Sequence, residues 1–289
     1  MATMRQIRTR IRVAGNIAQI TGAMEMVAAA RLKHAQDRVT AARPYVAGMA
    51  QMVTDLILCA PPGAEDPLLT GRAIGRIGIV LITADRGLCG SYNSGVIRRA
   101  ADLIEEVGSD RVALYPIGRK GPAFFRRRGL ELEPLPTANT GNLGYAEASA
   151  TARVLRAAFL SGALDQVMIV YTRFLSAITQ QPVVEQLLPI KPPSPGSTNA
   201  ADSVEMLAEP DIAALTAEVL PRYLTTRIYY AMLESAASEH GARMTSMSSA
   251  TDNAAKMIST LTLELNRARQ AAITKEISEI VSGAEALKS

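Results

Sequence analysis

The strongest constraint on this chain is a heptad seam near its C-terminal end. Leu233, Ala237, His240, Met244, Met247, Thr251, Ala254, Ile258, Leu261, Leu265, Ala268 and Ala272 follow one another in alternating steps of four and three. That spacing keeps one narrow stripe of an α-helix turned toward a partner helix in a left-handed supercoil. No Pro occurs between Arg222 and Ser289, so about 68 residues are free to run as one helix of roughly 100 Å. A globular core cannot hide such a rod, and most seam residues are small or flexible enough for a close partner.

The partner is expected at the other end of the chain. Ile7, Ile11, Ala14, Ala18, Thr21, Met24, Ala28, Leu32, Ala35, Val39 and Ala42 form a matching seam. No Pro precedes Pro44, and a helix can continue past it toward Cys59. Arg5, Arg8, Arg10 and Arg12 make the start strongly basic, which suits a solvated face, remnants of a transit peptide or contact with an acidic wall. If the two helices pair antiparallel with contacting numbers adding to 265–270, residue 5 meets about residue 262. What lies beyond projects as a single helix with its own apolar stripe, Ile273, Ile277, Ile280, Ala284 and Leu287. An isolated helix with such a stripe frays or aggregates unless another protein collars it.

Between the helices the hydrophobic period changes. Ala60 to Ala73 and Pro189 to Ser203 are Pro-rich linkers. Strands are expected at Ile77–Thr83, Val112–Ile117, Gln166–Thr172 and Pro182–Leu188, with a further possible strand at Leu130–Leu135. Helices are expected from about Ser91, at Lys120–Arg128 and at Tyr145–Ser161. This alternation implies a mainly parallel α/β sheet. The fold class is therefore an α/β domain inserted between two long terminal helices that pair as an antiparallel coiled coil. Its divisions are 1–59 for the first helix, 74–205 for a Rossmann-like domain and 211–289 for the last helix with its single-helix tip.

Chemistry is sparse. Gly87 and Gly90 between a strand and a helix start could cradle phosphate, but the spacing fits neither GxGxxG nor GxxxxGK[ST]. A tight βα turn that needs Gly for its backbone angles explains them better. His34 and His240, the two histidines, have no Cys or acid at ligand spacing, so no metal is expected. Glu105 and Glu106 are adjacent on a helix and point apart. There is no nucleophile with a credible base, and no cofactor motif; the chain reads as non-catalytic. Cys59 and Cys89 form no spacing motif and no thiol switch is expected. The net charge of +4 is concentrated in residues 1–58, which hold eight bases against three acids. No aromatic occurs in the first 44 residues, which argues against a nucleic-acid reading surface. Neither a membrane span nor a signal-peptide apolar region is present in the pattern.

Several motifs carry a resemblance. Ile20-Thr21-Gly22-Ala23-Met24-Glu25-Met26-Val27-Ala28-Ala29, the turn Asp85-Arg86-Gly87-Leu88-Cys89-Gly90 and the blocks Glu234–Glu239 and Ala250–Ala254 are four of them. With the ending Ala268–Ile277 and Glu279–Ala284, they resemble the gamma subunit of the F-type ATP synthase, in order and over nearly the whole chain. The resemblance implies a central shaft threaded through an alpha3beta3 hexamer, one copy per complex, with its tip in a hydrophobic sleeve formed around Ile273, Ile277 and Ile280. It implies an α/β domain that binds the epsilon subunit and stands on the c-subunit ring, the chain touching the membrane only through that ring. It places the complex on the cytoplasmic face of a bacterial inner membrane. Ion-driven rotation would then force each beta nucleotide site through tight, loose and open states.

By the same resemblance Met24, Arg243, Arg269, Gln270, Thr274 and Glu276 face the beta and alpha subunits, and Glu209 meets the c ring. For Arg269 and Glu276 the plain alternative is a solvated helix face; for Met24 it is seam filling. Three positions depart from the family pattern. Gly22 stands where Lys is common, Ala208 replaces a frequent aromatic, and Pro221 falls inside the helical pattern and is expected to break the helix between residues 217 and 225. Two rivals stay open at this level: a nucleotide-binding enzyme built on the middle domain, and a generic coiled-coil tether.

Overall fold

The computed structural model describes residues 3–60, 66–136, 144–191 and 211–286. Two long helices bracket a four-stranded sheet. Helix α1 spans Met4–Cys59 and α5 spans Ile212–Ala286; between them come β1 (Ile77–Ile82), α2 (Tyr92–Val107), β2 (Val112–Ile117), α3 (Lys120–Arg126), α4 (Tyr145–Leu160), β3 (Gln166–Phe174) and β4 (Gln180–Leu188). The chain resolves into two compact units, residues 29–243 and the helical ends 1–28 with 244–289.

In the larger unit the sheet order is β2-β1-β3-β4. β1 pairs parallel with both β2 and β3, Ile77 opposite Val112 and Gln166, while β4 returns antiparallel to β3 across a short hairpin. The sheet is thus mainly parallel with one antiparallel edge strand. The expected strand at Leu130–Leu135 is reduced to one bridge, Leu132 to Leu114. Every residue of β1 is buried, as a strand covered on both faces requires. Alternate side chains enter separate cores. Val80, Ile82, Ile117, Ile169 and Tyr171 pack with α4, with Met49, Val53 and Leu56 of α1, and with Leu220, Leu224 and Ile228 of α5. Ile79, Leu81, Leu114 and Val170 pack with α2 and Phe125.

Pro44 lies inside α1 and Pro221 inside α5, both within unbroken helix. The break expected at Pro221 is therefore corrected. A helical Pro removes one N–H donor and crowds the preceding turn, costing about 3 kcal/mol. Here Val219, Leu220, Tyr223, Leu224 and Ile228 are all buried, and each such side chain contributes about 1.5–3 kcal/mol. Tertiary packing outweighs the local penalty. Thr216 and Thr225 donate to the carbonyls of Ile212 and Pro221 at 2.7 and 2.9 Å, adding hydroxyl bonds on both sides of the gap.

In the smaller unit the two seams mesh as expected. Ile7, Ala14 and Ala28 are buried on α1, and Met247, Ala254 and Leu261 on α5. The register lies slightly further along than the expected one. Thr21 Oγ1 and Thr251 Oγ1 are 2.7 Å apart, which carries Ala14 to the level of Ile258 and Ile7 to that of Leu265. Helix α1 begins at Met4, so it runs out opposite Ala268. In the larger unit Ala35 and Val39 meet Leu233 and Ala237 in one apolar cluster, keeping the same register.

Candidate functional site

In the larger unit the site begins with the turn after β1. Leu88 and Gly90 take φ of 61° and 53°, the left-handed region that Gly tolerates freely and Leu does not. Asn93, in the first turn of α2, fastens it. Its Oδ1 accepts from the Ala84 N–H at 2.9 Å, and its Nδ2 donates to the Arg86 carbonyl at 3.3 Å and to Cys89 Sγ at 3.1 Å. This is a structural turn, as the Gly spacing predicts, and its tightness projects the Leu88 side chain outward, 63% exposed.

Arg243 closes the same turn from α5. Its guanidinium donates to the Gly87 carbonyl at 3.4 Å and pairs with Glu239 at 2.8 Å, the two side chains being only 14% and 13% exposed. Burial pushes the Glu239 carboxyl up, against the pull of Arg243. His240, 3.4 Å from Arg243 through Nδ1, is driven down to about 4 by burial first and then by Arg243 and Arg31. It is a neutral imidazole in the folded protein. Burial likewise raises the Cys89 thiol. Arg243 is thus engaged within the chain, its charge already met by Glu239.

A second polar cluster in this unit went unnoticed in the sequence. Glu185 on β4 accepts from the Tyr171 hydroxyl at 2.8 Å and from Arg173 and Arg227 at 2.5 Å each. Burial pushes its carboxyl up, but Arg227, Tyr171 and Arg173 together outweigh that and hold it below the ordinary range. Glu234 lies in the same network and shifts the other way, raised chiefly by burial. The signal available in sequence was one acid inside an apolar strand, Val183-Val184-Glu185-Gln186-Leu187.

In the smaller unit the features are exposed. On α1 a second apolar stripe runs one residue behind the seam: Val13 at 50%, Ile17 at 47%, Ile20 at 60% and Val27 at 54% exposure. Half-buried Met24 sits where the stripe meets the seam. The stripe follows steps of four, three and seven residues, so a second, offset heptad was legible in the sequence. On α5, past the end of α1, Ile273, Ile277 and Ile280 are 49%, 56% and 70% exposed. Helical geometry sets Arg269 and Glu276 along one flank of this stripe and Gln270 and Thr274 along the other. All four side chains are exposed, and Thr274 donates back to the Gln270 carbonyl at 3.0 Å. The Ala284 side chain, Leu287, Ala208 and Glu209 lie outside the described residues.

Among the described residues no helix is long and apolar enough to cross a membrane, and no group of three His, Cys, Asp or Glu could hold a metal ion. A family model described as ATP synthase matches residues 3–287. The chain is 48% identical over 288 residues to the ATP synthase gamma chain of Moorella thermoacetica, covering 100% of each. It is 47% identical over 292 residues to that of Heliobacterium modesticaldum, covering 99% of this chain and 100% of the relative. Among solved structures it is similar to a chain in the Tetrahymena thermophila mitochondrial ATP synthase central stalk and c ring. That match has a TM-score of 0.59 and 25% identity over 80% of this chain and 99% of the other. A chain of the Euglena gracilis mitochondrial ATP synthase shares the fold at a TM-score of 0.67, with 17% identity and coverage of 98% and 94%. With its paired seams, its Gly turn and its full-length relatives in agreement, the chain belongs to the ATP synthase gamma-chain family.

Proposed function

We propose that this chain is the central rotor shaft of an F-type ATP synthase, carrying c-ring rotation to the beta-subunit catalytic sites and doing no bond chemistry itself. The observation that supports this most is the bare end of α5. Three isoleucines on one stripe stand exposed on a helix that α1 no longer accompanies. A hydrophobic sleeve in an alpha3beta3 hexamer would cover them. The exposed stripe Val13, Ile17, Ile20 and Val27, with Met24 beside it, offers a second apolar face to the same ring.

Coupling then consists of differential contact. Each beta conformation meets a different face of the shaft, and the shaft shifts the equilibrium only by the difference in contact energy. Arg269, Gln270, Thr274 and Glu276 would make hydrated charge-assisted bonds to beta and alpha, each about 1 kcal/mol and breakable at every step. Arg243 contributes indirectly in this reading: it braces the turn that presents Leu88. The epsilon subunit and the c ring would engage the larger unit, with Glu209 at the ring, and the chain would reach the membrane's cytoplasmic face only through that ring.

Coexpression with alpha and beta subunits tests the reading. One copy of this chain should copurify with three of each, and truncation after Gln270 should lower torque or coupling in the reconstituted complex. A truncated chain that assembles and couples unchanged would favour a tether instead.

A further inference from the structure

A cleft of about 230 Å³ opens between α4 and α5 in the larger unit. Its floor is apolar and buried, Ala152 at 4% and Leu224 at 1% exposure. Ser149, Thr225 and the Tyr145 hydroxyl supply neutral polar groups, and Arg153, Arg156 and Arg222 complete the lining. The spacing on α4 places Tyr145, Ser149, Ala152, Arg153 and Arg156 along one side of that helix. Among the described residues no acid lines the cleft. Arg222 pairs with Glu218 one turn away on α5. Arg153 and Arg156 make no ion pair among the described residues.

Three guanidinium groups around one concavity repel one another, and a bound anion removes that cost. Guanidinium forks match the oxygens of phosphate two at a time. The Ser149 and Tyr145 hydroxyls can donate to further oxygens, and the apolar floor keeps water from competing beneath. Size narrows the ligand. The cleft is smaller than the roughly 300–1,000 Å³ of sites that enclose drug-sized molecules, so it holds one or two phosphate groups but not a whole nucleotide.

We propose that this cleft is a binding site for a phosphate-class oxyanion, with Arg153 and Arg156 as its principal ligands, Arg222 as a shared third, and Ser149 as a hydroxyl partner. The proposal rests only on the larger unit and stands apart from the shaft's role.

Titration calorimetry on the full-length chain at fixed ionic strength tests it, with sodium pyrophosphate, phosphate, ATP, sulfate and a short poly-glutamate peptide as probes. Pyrophosphate should bind saturably at one site. The double variant Arg153→Gln/Arg156→Gln should weaken binding at least about tenfold, since it removes both unshared charge-assisted donors. Arg222→Gln should weaken it less, because Glu218 already shares that charge, and Arg153→Lys should restore part of what Arg153→Gln loses. All three positions are exposed or partly exposed, and unchanged thermal unfolding of each variant confirms that binding alone is altered. If ATP binds as well as pyrophosphate, the site takes the phosphate tail of a larger molecule; if pyrophosphate binds better, it takes the free ion. Either supports the assignment. Absence of saturable heat, equal binding by the double variant, equal response to sulfate, or preference for the acidic peptide overturns it, the last in favour of a protein partner.

Discussion

Replacing Gly22 by Ala should stabilise the chain, whereas the same replacement at Gly241 should not. Both glycines lie inside long helices, where Ala is favoured over Gly by about 0.8–1.0 kcal/mol. At Gly22 a new Cβ meets no atom within 4 Å, so that gain is unopposed. At Gly241 it would lie 3.0 Å from the Ala177 carbonyl oxygen and 3.3 Å from Gln180 Nε2. Those atoms belong to the β3–β4 hairpin and already bond each other at 2.8 Å. Moving them costs about 1–3 kcal/mol, as overpacking usually does, which cancels or reverses the propensity gain. The two variants should thus differ by roughly 2 kcal/mol in urea unfolding followed by far-ultraviolet circular dichroism. Hydrogen exchange gives local resolution. Amides of α1 around Gly22 should exchange about fivefold more slowly in Gly22→Ala, as a gain near 1 kcal/mol requires. Equal stabilisation by both substitutions would refute the argument, because it would mean that the hairpin does not press on α5.

Acid should weaken the larger unit through His240. Its folded value near 4 lies below the ordinary 6.5, so the stability it lends is complete above pH 6.5 and is lost as pH falls toward 4; His240→Gln should flatten that part of the unfolding profile. Glu234 and Glu239 titrate with the opposite sign, their raised carboxyls favouring the fold at low pH, so Glu234→Gln should gain relative stability as pH rises in the same denaturation assay. Glu185→Gln removes the acceptor shared by Arg173, Arg227 and Tyr171, and should cost about 2 kcal/mol, less than a fully buried pair because Glu185, Arg173 and Arg227 keep some solvent; an unchanged urea midpoint would count against it. Replacing Ile273, Ile277 and Ile280 together by Ala should leave the isolated chain's thermal midpoint within error, since all three are exposed, yet weaken its retention in the reconstituted complex at dilution.

The seams were legible because a long amphipathic helix repeats its message many times. Every position from Ile7 to Ala42 and from Leu233 to Ala272 that the heptad selects is buried or half-buried, and one ambiguous residue could not spoil the pattern. Register was less legible, since neighbouring heptad alignments bury similar residues; the Thr21–Thr251 hydroxyl contact resolves it. Pro221 misled because local penalty was visible while the packing of Leu220 and Leu224 was not. Strand positions followed from apolar runs, but the antiparallel return of β4 depends on a five-residue hairpin, Leu175–Thr179, that carries neither Gly nor Pro. Arg243 shows the limit for sites. The motif singles it out, but only the fold shows its guanidinium meeting Glu239 and the Gly87 carbonyl.

These placements divide the proposed shaft's work between two kinds of force. Apolar contact is non-directional and scales with area, so the isoleucine stripe at the end of α5 can hold an axle in a sleeve at nearly constant energy as it turns. Charge-assisted hydrogen bonds depend on angle and distance, so the flanking Arg269 and Glu276, exposed and without an ion-pair partner among the described residues, are suited to distinguish one angular position from the next. A bearing built from charges would lock at each pairing, and a catch built from isoleucine would not register a step. Arg243, paired with Glu239, also braces the turn that carries Leu88. The sequence of the spike, grease along one stripe with breakable polar groups on both flanks, is the arrangement that retention and stepping would together require of the proposed shaft.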